Sequence, residues 1–433
     1  MSASPSQTSR LTIDANRVDA AVDALRSELV AFAQSLVRIP SVSGSEQAAQ
    51  RAIAAKYESI GLATEIVPSL REELESHPAF CDDAIPFVDR LNVVGQWRGT
   101  GGGRSLILNG HMDVVPPGDL AKWTRDPWGG DIEGDRLYGR GACDMKSGLA
   151  SAVFAVQALQ SLGVELRGDV MLQSVIGEES GGAGTLATIV RGYRADACVI
   201  MEPMNLRIAP VQTGALTFRI TVNGRAAHAC MRPHGVSAIT EFVPIVNALE
   251  QLNLDRHERF RDALFDDPRN IASLVIGTVR AGDWPSTVPD LLVAEGRLGV
   301  FPNESVAEAR AALESAVREV ASGRPWLTDN PPVVEWVEGQ FEPGTTPLDA
   351  PIIDRLSCSH EAVTGTPASL FGVPCGTDLR LFTRHAAIPT VLYGPGDVIH
   401  AHAADEHISL EDVVTCTKVL ARTVLAWCGP GTA

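Results

Sequence analysis

Residues 106–116 read LILNGHMDVVP, an apolar run that ends in glycine and is followed at once by His111 and Asp113. Such a run predicts a buried strand with polar residues at its carboxyl end. Two similar runs, DVMLQSVI and ACVIM, come before residues 177 and 202, and helical patterns separate them. Strands that alternate with helices predict an α/β fold, with a mixed, mostly parallel sheet that is covered by helices. In such a sheet, ligands bind at the carboxyl ends of the strands.

Five segments that lie far apart in the chain each carry residues able to bind a divalent metal ion. They are His111 in LILNGHMDVVP, Asp144 in GRGACDMKSG, Glu178 and Glu179 in VIGEESGG, Glu202 in IMEP, and His402 in HAHAADEH. Each alone has an ordinary explanation, since histidines at sheet edges, aspartates that cap helices and solvated glutamates are common. Together, imidazole and carboxylate ligands suit zinc, and the set is large enough for two ions.

The composition of the chain narrows the possible classes of protein. Its 433 residues, 45% of them hydrophobic, exceed the roughly 250–300 residues at which a single core stops growing, so we expect two domains. The formal net charge of -17 and the lack of a basic run argue against nucleic acid or an anionic membrane as a partner. No apolar run reaches the roughly 18–20 residues that a membrane helix needs.

The termini and the cysteines indicate the compartment. The eight cysteines show no CxxC pairing, and the N-terminal segment MSASPSQTSR has no apolar stretch of the secretory kind. Both features predict reduced thiols and a cytoplasmic location. The small and polar residues 1–12 predict a disordered N-terminus.

Local patterns predict the elements of the first part of the chain. Apolar residues recur at helical spacing over 18–36, and a second helix is predicted over 43–61. Ser43 and Glu46 have the spacing of a capping box at the start of that second helix. Residues 70–90 fit neither the helical nor the strand period, which predicts a long loop with a functional or mobile role.

The pattern changes after Met204, where ALTFRITV alternates apolar and polar residues as a half-exposed antiparallel strand does. A helix, two strands, a helix and a strand are predicted to follow, before the α/β pattern returns near Thr345. We therefore expect an inserted α+β domain of 209–344, and a discontinuous first domain made of 1–208 and 345–433.

Taken together, the motifs resemble those of a known family. They are His111-Met112-Asp113, Asp144-Met145-Lys146, Glu178-Glu179, Glu202 and His402-Ala403-Ala404-Asp405-Glu406. The family is the di-zinc amidohydrolases that include aminoacylase, acetylornithine deacetylase, succinyl-diaminopimelate desuccinylase and carboxypeptidase G. The resemblance implies a zinc-exopeptidase-like catalytic domain, with the insert as a lid and dimerisation domain.

The same resemblance implies two Zn²⁺ ions, for which Co²⁺ or Mn²⁺ are possible substitutes. One ion is held by His111, Asp144 and Glu202. The other is held by Asp144, Glu179 and His402, so that Asp144 bridges the pair. His400 is the competing ligand in HAHAADEH, but the family spacing His-x-x-Asn/Asp-Glu selects His402.

Three catalytic roles follow from the resemblance. Glu178 is the general base: it takes the proton of the shared water, so that zinc-bound hydroxide attacks the amide carbonyl, and later protonates the departing amine. Asp113 hydrogen-bonds the imidazole of His111 and fixes its tautomer. His228, in NGRAAHACMRPHG of the lid, reaches the active site of the other subunit and donates a hydrogen bond to the oxyanion.

Three further residues are candidates for binding the substrate. Arg380 in CGTDLRLF and Arg297 in EGRLGVFP match positions where the family binds a substrate carboxylate, a task that suits a planar guanidinium. Of the two, Arg380 is the stronger candidate. A surface ion pair is the ordinary alternative for each arginine. Ser286 in WPSTVP stands where several desuccinylase-like members have Asn, so the substrate contacts there differ.

These inferences predict a metal-dependent amidohydrolase that cleaves the acyl group from an N-acyl amino acid or a similar small amine with a carboxylate. A homodimer through the lid is expected, with no nucleic-acid or membrane partner. A dipeptidase or carboxypeptidase on the same scaffold is one alternative, and a zinc-binding protein without catalysis is another. The resemblance also leaves hydrolysis of a carbamoyl amide as a third. The acyl group, the amino acid and the native metal stay open.

Overall fold

The structure is a computed structural model, and it describes residues 14–260, 262–267, 269 and 271–431. The prediction for residues 1–12 lies outside these residues. The described strands are β1 (Ala63–Pro68), β2 (Leu91–Trp97), β3 (Leu106–His111), β4 (Ile132–Glu133), β5 (Arg136–Tyr138), β6 (Val170–Val175), β7 (Ala197–Ile200), β8 (Ile208–Gln212), β9 (Gly214–Asn223), β10 (Leu274–Ala281), β11 (Leu291–Val300), β12 (Val333–Phe341), β13 (Gly344–Thr345), β14 (Leu370–Val373), β15 (Thr390–Leu392) and β16 (His407–Ser409). The described α-helices are α1 (Ala15–Ala24), α2 (Arg26–Val37), α3 (Gln47–Ser59), α4 (Arg71–Leu74), α5 (Ser147–Ser161), α6 (Ala183–Val190), α7 (Ala238–Arg259), α8 (Val306–Ser322), α9 (Pro325–Asp329), α10 (Pro351–Thr364) and α11 (Leu410–Cys428).

A nine-stranded mixed sheet forms the larger part of the molecule. Its order is β1-β2-β6-β3-β7-β15-β8-β13, with β14 paired to β8. The centre is parallel, since β3 pairs in parallel with β6 and β7, and β15 with β7. Towards the two sides, the pairs β1 with β2, β2 with β6, β15 with β8 and β13 with β8 are antiparallel. The α/β fold with a mixed sheet is therefore confirmed, and strands from both ends of the chain share it.

Two long helices anchor the turns from which site residues project. Helix α5 carries SGLASAVFAVQALQS and is buried along most of its length, as expected for a helix that is apolar on all sides. Helix α11 begins after Ser409, whose side chain caps it, and packs against α5. Asp144 lies just before α5 and His402 shortly before α11, so the packing of these helices holds two distant motifs together.

The inserted region has a sheet and a core of its own. Its strand order is β10-β11-β9-β12, with α7 and α8 packed on one face. Along β9, the apolar side chains Leu216, Phe218, Ile220 and Val222 are buried, and the residues between them are half-buried. This agrees with the alternation in ALTFRITV. The boundaries at 208/209 and 344/345 stay predictions.

Several local predictions need correction. The helical pattern over 18–36 forms two helices, α1 and α2, that meet at Leu25. The capping box at Ser43 and Glu46 does not form, because α3 starts only at Gln47 and its N-cap makes no side-chain hydrogen bond. The Ser43 hydroxyl donates instead to the carboxylate of Asp113, at 3.1 Å. The strands β4, β5, β8, β13, β14 and β16 were missed, since runs of two to five residues show no clear period. Residues 71–74 of the predicted loop 70–90 form the short helix α4.

None of the helices in the described part of the chain combines the length and the apolar character that a membrane crossing requires.

Candidate metal centre

The parallel centre of the sheet brings three of the five motifs together. His111 is the last residue of β3, Glu178 and Glu179 follow β6, and Glu202 follows β7. Because β6, β3 and β7 are parallel neighbours, their carboxyl ends meet at one edge of the sheet. The sequence therefore places four acidic or imidazole side chains at the same point.

The remaining two motifs are joined to each other by Glu406. Its Oε1 accepts the backbone N–H of Cys143 at 3.0 Å and of Asp144 at 3.1 Å. Its Oε2 accepts a hydrogen bond of 2.5 Å from Arg140, and both side chains are almost fully buried. In the sequence, Glu406 is only the last residue of the motif that begins at His402, yet its carboxylate ties this segment to the turn that carries Asp144.

Distances between ligand atoms divide the centre into two groups that share Asp144. Nε2 of His111 lies 3.0 Å from Oδ1 of Asp144 and 3.9 Å from Oε1 of Glu202. Nε2 of His402 lies 3.0 Å from Oε1 of Glu179 and 3.5 Å from Oδ2 of Asp144. Within each group, all ligand atoms lie within 4.8 Å of one another. These are the two triads that the resemblance implied.

Burial is uneven across the two groups. The side chains of His111 and Glu202 are 1% and 7% exposed, whereas that of His402 is 51% exposed. The first group therefore lies inside the protein and the second faces solvent. His400 stacks on His407, with 4.2 Å between ring centroids, and belongs to neither group of the described residues.

The electrostatics of the centre fit a bound cation. Burial and the nearby charge of Asp144 raise the pKa of Glu202 well above its usual value. Burial alone would lower the pKa of His111, but its hydrogen bond to Asp144 and the charge of Glu202 raise it instead. Oε1 of Glu202 is buried without a hydrogen-bond partner among the described residues. Crowded buried carboxylates are costly, and a cation at this point relieves the cost.

Glu178 lies beside the two groups without belonging to either. It is 8% exposed. Burial, followed by the negative charge of Glu202, raises the pKa of Glu178 well above its usual value. A carboxyl group whose pKa is raised holds a proton more readily than an ordinary one, which suits a general acid or base.

Asp113 makes contacts that differ from the prediction. Nδ1 of His111 is 2.8 Å from the backbone carbonyl oxygen of Asp113, whereas the carboxylate Oδ1 is 3.7 Å away. The carboxylate instead accepts the backbone N–H of Glu178 at 3.2 Å and of Glu179 at 3.3 Å. The tautomer of His111 is thus set by main chain, and the Asp113 side chain holds the turn that carries the two glutamates.

The lid candidates stand apart from this centre. His228 is exposed, and its Nδ1 accepts the backbone N–H of Cys230 at 3.2 Å. Its backbone forms an isolated bridge with Thr287. Ser286 is exposed as well, and its carbonyl accepts the N–H of Ala229 at 2.9 Å. These contacts lie within the lid, so neither residue is positioned by the metal ligands.

The two candidate arginines differ sharply in exposure. Arg380 is fully buried, donates from Nη2 to the carbonyl of Gly181 at 2.8 Å, and lies over the ring of Phe341. Its Nε and Nη1 have no hydrogen-bond partner among the described residues. Arg297 is half-buried on β11, and its Nη2 donates to the carbonyl of Pro374 at 3.2 Å. Arg380 is not a surface residue, but its Nη1 lies 3.9 Å from Oε2 of the partly exposed Glu342, so an ion pair remains an alternative role for it.

A model of the peptidase family M20/M25/M40 matches residues 107–426, which include all five motifs. The chain belongs to this family. The predicted resemblance is thereby confirmed, and this M20 protein is a hydrolase that acts on amide bonds. Family membership decides against the alternative of a binding protein without catalysis.

Relatives and solved structures agree with this placement. The N-formyl-4-amino-5-aminomethyl-2-methylpyrimidine deformylase of Bacillus subtilis (strain 168) is 32% identical over 361 residues, which cover 78% of this chain and 83% of the relative. The succinyl-diaminopimelate desuccinylase of Methylocella silvestris is 29% identical over 410 residues, 90% of this chain and 96% of the relative. The M20 family metallo-carboxypeptidase Sso-CP2 from Sulfolobus solfataricus has the same fold, with a TM-score of 0.72 and 17% identity over 92% of this chain and 98% of that one.

Proposed function

We propose that this M20 hydrolase removes the acyl group from an N-acyl amino acid, with two divalent metal ions and Glu178 as the general base. One observation carries the proposal. Two ligand triads share the carboxylate of Asp144, and a buried carboxyl group that belongs to neither triad lies next to them. This is the arrangement that metal-assisted amide hydrolysis requires.

The donor atoms fit a pair of borderline metal ions. His111, Asp144 and Glu202 would hold one ion, and Asp144, Glu179 and His402 the other. Imidazole nitrogen with carboxylate oxygen suits Zn²⁺, and also Co²⁺ or Mn²⁺. When bound, such a pair polarises the amide carbonyl and lowers the pKa of water.

Glu178 moves the proton in this proposal. Its carboxylate accepts a proton from the attacking water, and the water oxygen forms the new bond to the carbonyl carbon. The same proton is then delivered to the amine nitrogen as the carbon–nitrogen bond breaks, so that acid and free amine leave. The hydrogen bonds from the N–H groups of Glu178 and Glu179 to Asp113 keep the turn in place for both transfers.

Arg297 is the better placed of the two arginines for a substrate carboxylate. It contacts Pro374, and its positive charge acts on the next residue, Cys375, as do the charges of Glu178 and Glu202. Arg297 therefore lies within electrostatic reach of the centre from the lid side. Arg380 can contribute only the N–H groups on Nε and Nη1, because Nη2 is used by Gly181.

We also propose a homodimer through the lid. Strand β10 is an edge strand, and its residues 277–280 are exposed. Ile239 and Val243, one turn apart on α7, are 46% and 51% exposed, and Val279 is 52% exposed. An edge strand beside an exposed apolar helix face favours pairing with a second copy of the same lid. In such a dimer, His228 and Ser286 could serve the partner's centre.

A cytoplasmic location is part of the proposal. All eight cysteines are free, in agreement with the expectation of reduced thiols. Disulfides form and persist in oxidising compartments, so free thiols favour a reducing one. Fractionation of the source cells is the direct measurement.

A hydrolysis panel with a Glu178→Gln variant tests the function. The wild-type enzyme, loaded with Zn²⁺ or Co²⁺, is assayed on N-acetyl, N-succinyl and N-formyl amino acids. Glu178→Gln is expected to retain both metal ions and to lose about 10²–10⁴-fold in kcat, the usual contribution of a general base. Near-normal turnover by a fully loaded variant would refute the role of Glu178. Asp119→Asn, an exposed cap of a short turn, is the control.

A second candidate is deformylation of an N-formyl amine that lacks a carboxylate. It is favoured by the Bacillus subtilis relative, a deformylase whose name gives an N-formyl pyrimidine as its substrate. The same panel, extended to N-formyl aromatic amines and dipeptides, separates it from the first candidate and from a dipeptidase or carboxypeptidase. Hydrolysis of N-formyl amines without N-acyl amino acids would replace the first candidate.

A further inference from the structure

The turn of residues 177–182, here called the catalytic turn, carries both Glu178 and Glu179 between β6 and α6. Gly177 and Gly182 adopt positive φ values of 69° and 79°, which only glycine takes without strain. Inside the turn, the main-chain bonds are those from Gly181 to Glu178 at 3.1 Å and from Gly182 to Gly177 at 2.7 Å. With only these two main-chain hydrogen bonds inside it, the turn relies on contacts with other segments to hold its side chains in one position.

Loop 70–90 supplies one of those contacts through Ser180. The hydroxyl of Ser180 donates to Oδ2 of Asp83 at 2.7 Å. The same oxygen accepts a hydrogen bond of 2.7 Å from Nη1 of Arg90. The side chains of Asp83 and Arg90 are 4% and 0% exposed. A buried ion pair is costly unless further hydrogen bonds satisfy it, and Ser180 provides one.

Arg90 also packs against the first residue of the catalytic turn. A Cβ atom at Gly177 would lie only 2.5 Å from Nη2 of Arg90, so the guanidinium packs directly against the backbone where the turn begins. Phe87 covers Arg90, with 5.2 Å from its ring centroid to the guanidinium carbon. The ion pair is therefore held in the loop and contacts the catalytic turn at two points, Gly177 and Ser180.

We propose that the Asp83–Arg90 pair and Ser180 form a clamp that positions the carboxyl group of Glu178 for proton transfer. Asp83, Arg90 and Ser180 are positioning residues, since they act through the backbone of the catalytic turn. The proposal rests on the proposed function of Glu178 as the base. It gives loop 70–90 a role in the rate of the reaction.

Ser180→Ala is the decisive variant, because it removes one hydroxyl and leaves the buried ion pair intact. In the metal-loaded enzyme, kcat on the N-acetyl amino acids of the panel should fall about tenfold or more, since small misplacement of a catalytic group is costly. KM and the content of two metal ions per chain should stay unchanged. Ser180→Thr keeps the hydroxyl and should restore most of the loss.

A second measurement does not depend on a substrate. Amide hydrogen exchange of the full chain, followed by mass spectrometry, should be faster in the segment 176–184 of Ser180→Ala and near normal in Ser180→Thr. Ser151→Ala is the matched control, because it removes another buried hydroxyl, on α5, that bonds to Ser147 and Val413. It should leave exchange at 176–184 unchanged.

Each outcome shows whether Ser180 positions the catalytic turn or only contributes to the general stability of the fold. Unchanged exchange at 176–184, unchanged kcat, or a loss of kcat that Ser151→Ala shares would overturn the clamp. Loss of metal together with kcat would do the same, since it would show a general structural role. Glu178→Gln is measured in parallel: if it stays active, the proposed base is wrong, and the exchange result still decides whether the turn is clamped.

Discussion

The edge of the large sheet and the lid present their candidate residues in opposite ways. At the sheet edge, five residues from distant motifs bring their ligand atoms within 4.8 Å of one another in two groups. In the lid, His228 and Ser286 are exposed, and their hydrogen bonds are made to lid residues. The difference indicates that folding of one chain brings the candidate metal ligands together, whereas the described hydrogen bonds of the two lid residues are made within the lid.

Asp144→Ala should have the largest effect, because Asp144 is the one ligand common to both groups. We expect the content of bound metal to fall below one ion per chain, and kcat/KM to fall by about 10³-fold or more, since metal ions contribute several kcal/mol to such reactions. Metal analysis and the hydrolysis panel measure the two effects. If the variant retained two ions per chain, metal binding at the sheet edge would not depend on Asp144, and the proposed shared ligand would be wrong.

His228→Ala tests the lid side of the comparison. If His228 stabilises the oxyanion, the variant should keep both metal ions and lose about 10²–10³-fold in kcat. Since His228 belongs to neither ligand group, we expect no change in metal content, unlike Asp144→Ala. An unchanged kcat would remove His228 from the reaction.

Mixing Glu178→Gln with His228→Ala shows whether His228 acts on the centre of its own subunit or on that of its partner. Glu178→Gln and His228→Ala each inactivate one half of the machinery, so mixed dimers regain one intact centre if His228 acts on the partner. Recovered activity on mixing, with dimers shown by light scattering, supports action between subunits. An active monomer would contradict it.

The sequence predicted the sheet and the grouping of the candidate ligands because both follow from local patterns. An apolar run identifies a strand, and polar residues past its end identify a position at the edge of a parallel sheet. His111, Glu179 and Glu202 needed no further information than this order and the family resemblance. The alternation along β9 likewise predicted which face of the lid sheet is buried.

The contacts that support the site were not predictable in the same way. Asp83 is 97 residues from Ser180, and Glu406 is 263 residues from Cys143, so no local period relates the partners. Ser43 had the spacing of a helix cap, but the carboxylate of Asp113 competes for its hydroxyl in the folded chain. Long-range hydrogen bonding thus overrode a local signal that was chemically sound.

Asp378→Asn should have the smallest effect. It tests whether a buried charge at the sheet edge lowers the free energy of unfolding. Burial raises the pKa of Asp378 to about 6, although the Thr185 hydroxyl and the charge of Arg380 act in the opposite direction. The folded protein thus binds the proton more tightly than the unfolded chain does, whose Asp pKa is near 3.8. The associated stability is complete below pH of about 4 and is lost as pH rises through about 6.

Neutral Asn at position 378 removes this dependence. Between pH of about 4 and 7, the metal-free wild type should lose up to about 3 kcal/mol relative to Asp378→Asn, at about 1.4 kcal/mol for each unit of pKa shift. Urea unfolding of both proteins at several pH values measures the difference. Asp290→Asn, at an exposed lid aspartate, should show no such trend. The prediction fails if wild type does not lose stability relative to Asp378→Asn as pH rises. It also fails if wild type loses as much stability relative to Asp290→Asn, since the edge of the sheet would then carry no more buried charge than the lid.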